Sequence, residues 1–325
     1  MIGKPRRYIF LVVLGLFVMI AAISPKGSPA SASQKSVVVE FVFRGRFWSI
    51  TGENTAPNTY VFNKGAPGKI RMATLDWAPY IGETICKQGW VQQLTIALLA
   101  SKGYEITTSF MPWARTIRMA ETGAVDILYP EYFIEPSAVS DVHKGTNRLE
   151  HLALSRKLPG GPIAFMKRRG EVDVYKGDLF NLKNEKIGVV RGYQNTPAFD
   201  GLMGNGLFEI SESVDDLMNT KKLISRRINL IIGDPAVIRF NIANSVLNPG
   251  EQSGILEKIE VVQPVIQYNH LYYAVSRKNP SWETTLRVLN AAIAEFEKSG
   301  LMFEIIKQVN TSCGYHMDQV LSPYE

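Results

Sequence analysis

Short unbroken apolar runs alternate along this chain with stretches in which apolar residues recur every three or four positions, the signature of strands alternating with helices. IRMATLDWAPY (70–80) opens with a strand; after a loop to Gly89, Val91, Leu94 and Leu98 share one face of a helix that Gly103 ends. EITTSF (105–110) alternates as a strand. Pro112 suits the first turn of a helix with Trp113, Ile117 and Ala120 on one side, and GAVDILYPE (123–131) reads as a buried strand. The same order then returns. EKIGVVRGY (185–193) opens a second unit, SVDDLMNTKKLI (213–224) carries Val214, Leu217, Lys221 and Ile224 in helical register, and INLIIGDP (228–235) closes it. Asp234 and Pro235 there read as a helix cap and a first-turn proline.

Between the units, residues 132–161 lack periodicity and end in LPGG, and the apolar strand PIAFMKRRG (162–170) leads away. IEVVQPVIQYNHLYYAVS (259–276) is strongly β-like and returns the chain, and the helix of 281–300 sets Leu286, Leu289, Ile293 and Phe296 on one side. The pattern predicts an α/β protein of two lobes, the first built from 69–161 plus 267–325 and the second from 162–266, joined by two hinge strands. Residues 34–68 read either as a strand pair or as a turn-rich linker, and stand as an N-terminal extension. Ligands in open α/β sheets bind outside the carboxyl ends of strands, so two facing units make a cleft.

Composition adds that 325 residues, 46% of them hydrophobic, suffice for two globular domains. The formal charge of +6 overstates the surface, because Lys4, Arg6, Arg7 and Lys26 fall in the first 33 residues, which hold no acid. The remaining 32 basic and 30 acidic residues give no reason to expect nucleic acid as a partner. KPRR, the apolar run Tyr8–Ile23 and the small residues Ala30, Ser31 and Ala32 follow the order of a secretory signal peptide over 1–33, with an uncleaved membrane anchor as the alternative. Export to the periplasm would place Cys86 and Cys313 in an oxidising compartment, where they either pair, tying the chain's end to the first lobe, or remain separate thiols.

The order of DWAPY, GAVDILY, LKNEKIGVVRGY, RRINLIIGD and EKSGLMFEIIKQ, spread over 69–309, resembles the bacterial solute-binding protein family 3, the type 2 periplasmic binding proteins of amino-acid uptake systems. The resemblance implies two lobes, each a mixed sheet flanked by helices, closing on one small solute and delivering it to an ABC permease or a membrane sensor. It implies a monomer with no cofactor. In the family an aspartate at the position of Asp234 accepts hydrogen bonds from the ligand's ammonium group; the plainer account is a helix cap. Arg191, Tyr193 and Thr196 lie between a strand and a helix opened by Pro197, where a guanidinium and free N–H groups would hold an anion, or simply cap and face solvent. Trp77 and Tyr80 stand where the family places aromatic walls, against core packing as the alternative. Tyr129 and Glu131 end the other first-lobe strand, and Glu131 opposite Asp234 would favour a cationic group. Trp113 and Arg115 belong either to the cleft rim or to an ordinary helix. Relatives that bind α-amino acids usually follow this strand with a threonine and then an arginine; EYFIEPSAVSD (131–141) has none, which argues against an ordinary amino acid.

The four histidines, His143, His151, His270 and His316, show no metal-ligand spacing, and no hydrolase, redox or phosphate-loop motif occurs. Solute binding without catalysis is therefore the expectation. Two others compete with it: a dehydratase on the same fold, similar to cyclohexadienyl dehydratase, with Glu131 or Asp234 as general acid, and a ligand sensor feeding a membrane receptor.

Overall fold

A computed structural model of the chain describes residues 1, 3, 37–245 and 247–315, so the expected export signal and its cleavage region lie outside the described residues. Among the described residues no helix is long and apolar enough to cross a membrane. The elements run β1 (Val37–Phe43), β2 (Arg46–Ala56), β3 (Thr59–Phe62), β4 (Gly68–Thr74), α1 (Gly89–Ala100), β5 (Tyr104–Phe110), α2 (Trp113–Glu121), β6 (Ile127–Glu131), α3 (Arg148–His151) and β7 (Leu152–Leu154). Then follow β8 (Leu158–Arg168), β9 (Lys186–Val190), α4 (Pro197–Gly204), β10 (Glu209–Ser213), α5 (Asp216–Ile224), β11 (Leu230–Gly233), α6 (Pro235–Ala243) and α7 (Pro249–Lys258). The chain continues with β12 (Ile259–Val261), β13 (Gln267–Ser276), α8 (Trp282–Lys298) and α9 (Leu301–Cys313).

Strands β5, β4 and β6 pair in parallel, with Met72 opposite both Thr108 and Ile127, so their carboxyl ends point the same way. The segment read as an extension or linker forms β1, β2 and β3, an antiparallel meander that joins the same sheet through β3, Tyr60 opposite Thr108. Its inward residues are apolar, and Phe41 and Phe43 pack against Phe296 of α8 with ring centroids 6.1 and 4.8 Å apart. In the second lobe β10, β9 and β11 are parallel, and helices α4 to α7 complete it.

Two long strands connect the lobes. The start of β13 pairs with the start of β8, Gln267 opposite Ile163, whereas its end pairs with β6 in the first lobe, Ala274 opposite Leu128. The far end of β8 pairs with β11 in the second lobe, Ile232 opposite Phe165.

One periodicity reading fails in detail. Val214 is 69% exposed, and α5 begins only at Asp216 with Asp215 as its cap, so the buried face is Asp216, Asn219, Thr220 and Leu223. A largely polar face is buried there, which an apolar periodicity cannot reveal. At the other end, Cys86 and Cys313 form a disulfide with Cα atoms 5.7 Å apart, fastening the end of α9 to the turn before α1.

Candidate functional site

The strand ends of the two lobes meet at one seam. Asp234 follows β11 and caps α6, its Oδ1 accepting the Ala236 N–H at 2.7 Å. Its other oxygen accepts the hydroxyl of Tyr80, from the loop after β4, at 2.7 Å, so a first-lobe side chain is bonded directly to a second-lobe carboxylate. Asp234 is 3% exposed, and burial pushes its pKa up to about 6 while the Tyr80 bond pulls the other way. Gly161 of β8 makes this approach feasible, since a Cβ there would lie 2.1 Å from the Tyr80 hydroxyl and 2.3 Å from Asp234 Oδ2.

Around this bond stands an aromatic wall. Trp77 stacks on Tyr80 with centroids 4.4 Å apart and meets the edge of Tyr132 at 5.6 Å. Trp113, at the first turn of α2, presents its edge to Tyr193 of the second lobe at 6.3 Å and donates from Nε1 to the Gly192 carbonyl at 3.3 Å. Gly192 has φ +82°, a left-handed turn that brings its backbone against the first lobe.

The first lobe also supplies an arginine that the sequence reading missed. Thr146, Asn147 and Arg148 follow the aperiodic loop, and Arg148, 3% exposed, donates from Nη1 to the Gly192 carbonyl at 3.1 Å and from Nη2 to Asp141 at 2.9 Å. EYFIEPSAVSD itself holds neither a threonine nor an arginine, but Thr146 and Arg148 follow β6 further along the chain. The signal was present in TNRLEH, a capping box in which Asn147 and Glu150 satisfy each other's N–H groups and open α3.

Glu131, at the end of β6, is 3% exposed. Its Oε1 accepts the Tyr132 N–H at 2.9 Å, while Oε2 has no hydrogen-bond partner. Burial pushes its pKa up to about 7, with Arg148 pulling it down. Asp216 is raised to about 7 chiefly by burial, then by Asp215 and Asp234.

The other expected residues are placed differently. Thr196 caps α4, its Oγ1 accepting from the Phe199 N–H at 3.2 Å, and lines a hinge-side cavity of about 200 Å³ with Asn195, Asp200 and Tyr268. Tyr129 lies in the first-lobe core, its hydroxyl bonded to Gln92 and Thr108, because every position of β6 is buried on both faces. Arg191 is turned outward, its side chain 65% exposed and bonded to Glu212 at 3.0 Å, so Gly192 and not Arg191 faces the seam. Arg115 is also exposed. The cavity at the seam itself, lined by Trp77, Trp113, Glu131, Tyr132 and Tyr193 among others, measures about 20 Å³, roughly the room for one water.

No protein-family model and no curated protein sequence matches the chain. Solved structures do. An ancestral arginine-binding protein bound to arginine is 18% identical with a TM-score of 0.57, over 75% of this chain and 98% of that one. A histidine kinase sensor domain similar to periplasmic binding proteins is 16% identical with a TM-score of 0.57, over 74% and 95%. An ancestral amino-acid-binding protein described as a precursor of cyclohexadienyl dehydratase is 18% identical with a TM-score of 0.54, over 74% and 94%. The class is thereby defined: the chain has the two-lobed periplasmic binding protein type 2 fold, as its sequence resemblance implied.

Proposed function

We propose that the chain is an exported solute-binding protein that captures one small amino-acid-like molecule between its lobes and presents the closed form to an ABC permease or a membrane sensor. The observation that carries this reading is that each lobe buries one charged group at the seam and bonds it across to the other lobe, Arg148 donating to the Gly192 carbonyl and Asp234 accepting from the Tyr80 hydroxyl. A molecule with a carboxylate and an ammonium group matches both, and charge-assisted hydrogen bonds contribute about 1.5–3 kcal/mol each. In the open state Tyr80 and Gly192 would give up Asp234 and Arg148; the solute would then bridge the lobes and shift the population towards closure. Arginine binding and sensing in the structural neighbours agree with this class of ligand and partner.

The test is a thermal-shift screen of the full-length chain against amino acids, polyamines, organic acids and short peptides. A solute at 100 times its Kd is expected to add about 2.7 kcal/mol to stability. A flat screen would remove the reading. Turnover of prephenate or arogenate would replace it with the dehydratase alternative, for which Glu131 at about 7 is a suitable general acid.

A further inference from the structure

The geometry points to a cation subsite in the seam: Glu131, walled by Trp77, Trp113, Tyr132 and Tyr193, receives the positively charged end of the bound solute, an alkylammonium or guanidinium group. This rests on the solute-binding reading and names its ligand class, a molecule carrying one more cationic group than anionic ones or a second ammonium.

Two buried polar atoms in this cavity are left without partners, Glu131 Oε2 and the Tyr132 hydroxyl. Both residues line it, and Glu131 and Tyr132 are only 3% and 8% exposed, so they are shut off from bulk solvent. A buried carboxylate oxygen without a donor is strongly unfavourable, and a cation's N–H groups supply what it lacks. Beside Glu131 the lining holds four aromatic rings, with Leu75, Pro130, Gln194 and Leu271 completing it. Ring faces attract a cation and do nothing for a second carboxylate. Charge in the seam points the same way: Glu131, Asp216 and Asp234 are buried, against Arg148 as the one buried guanidinium among the described residues, so a solute whose carboxylate takes Arg148 still leaves acid groups for a cation. Trp77 and Trp113 belong to the first lobe and Tyr193 to the second, so the box is complete only when the lobes meet around its occupant. Burial holds the Glu131 carboxyl at about 7, so an arriving cation expels its proton.

The experiment is calorimetric titration of the full-length chain with L-arginine, agmatine, putrescine, L-citrulline and L-glutamate, in two buffers of different ionisation enthalpy near pH 6.5. L-Citrulline has nearly the shape of L-arginine without its charge. Cationic solutes are expected to bind at least ~10-fold tighter than L-citrulline, with proton release on binding. Glu131→Gln is expected to bring that ratio close to one and abolish the proton release, while its circular dichroism and melting temperature report an intact fold. Tyr132→Phe, which keeps the ring, is expected to lower the ratio less. Equal affinity for L-arginine and L-citrulline, a preference for L-glutamate, or a ratio that survives Glu131→Gln overturns the inference and leaves solute binding standing. Absence of binding by all five probes and by the wider screen overturns both.

Discussion

Raising the pH from about 5.5 to about 8 is expected to weaken this fold, opposite to the behaviour of a protein whose carboxylates are mostly ion-paired. Burial raises Glu131 and Asp216 to about 7 and Asp200 and Asp234 to about 6. A carboxyl whose folded-state pKa exceeds its unfolded value holds its proton more tightly when folded. Its contribution is complete below the ordinary carboxylate range and is lost as pH climbs through the folded value. The folded chain therefore binds more protons than the unfolded chain through this window, and stability falls with pH. Each pKa unit corresponds to about 1.4 kcal/mol, so Glu131 alone contributes on the order of 3 kcal/mol. His151 and His270 act against the trend, because burial lowers both. Glu171, Glu260 and Glu295 are lowered by basic partners and lose their contribution only at more acidic pH. Urea unfolding across the range measures this: a midpoint that falls towards pH 8, with a shallower fall in Glu131→Gln, is the expected result, and a flat or rising midpoint contradicts it.

Removing the disulfide is expected to have an effect of similar size by another route. Cys86 and Cys313 close a loop spanning 227 residues, and cross-linking so long a loop restricts the unfolded chain severely. The chain-entropy relation gives about 5 kcal/mol. The link also holds Tyr315 where its hydroxyl accepts the Cys86 N–H at 3.2 Å and its ring meets Phe240 of α6 edge-on at 5.4 Å. Cys86→Ser with Cys313→Ser, compared with wild type in urea, is expected to lower the unfolding free energy by at least ~2 kcal/mol. A loss below ~0.5 kcal/mol would mean that the unfolded chain is already restrained near these residues.

How far the sequence foretold this structure depends on what each signal reports. The strand ends were legible because apolar runs that stop at an acid and a proline, as at Ile228–Pro235, fix both the strand and the following cap. Trp77, Tyr80, Glu131 and Asp234 followed from those ends. Arg148 did not, because the loop of 132–147 has no periodicity to measure and hides how far along the chain the seam is reached again. Arg191 was expected inward from its place after β9, but Gly192 turns the backbone and leaves the neighbouring side chain outside. Asp216 was invisible for a different reason, since its helix buries Asn219 and Thr220 beside it and presents no apolar stripe. The β1–β3 meander was obscured by turn residues such as Asn58 and Gly65, which punctuate short strands as readily as linkers.

The central claim is that Asp234 from one lobe and Arg148 from the other hold a solute between them. Asp234→Asn tests it most directly, because asparagine still caps α6 through its one oxygen while the charge and the acceptor facing Tyr80 are lost. Titration of this variant with the solute that most stabilises the wild-type chain is expected to show Kd raised ~100-fold, with an unchanged circular dichroism spectrum. Unchanged affinity would return Asp234 to the role of a helix cap and contradict the account.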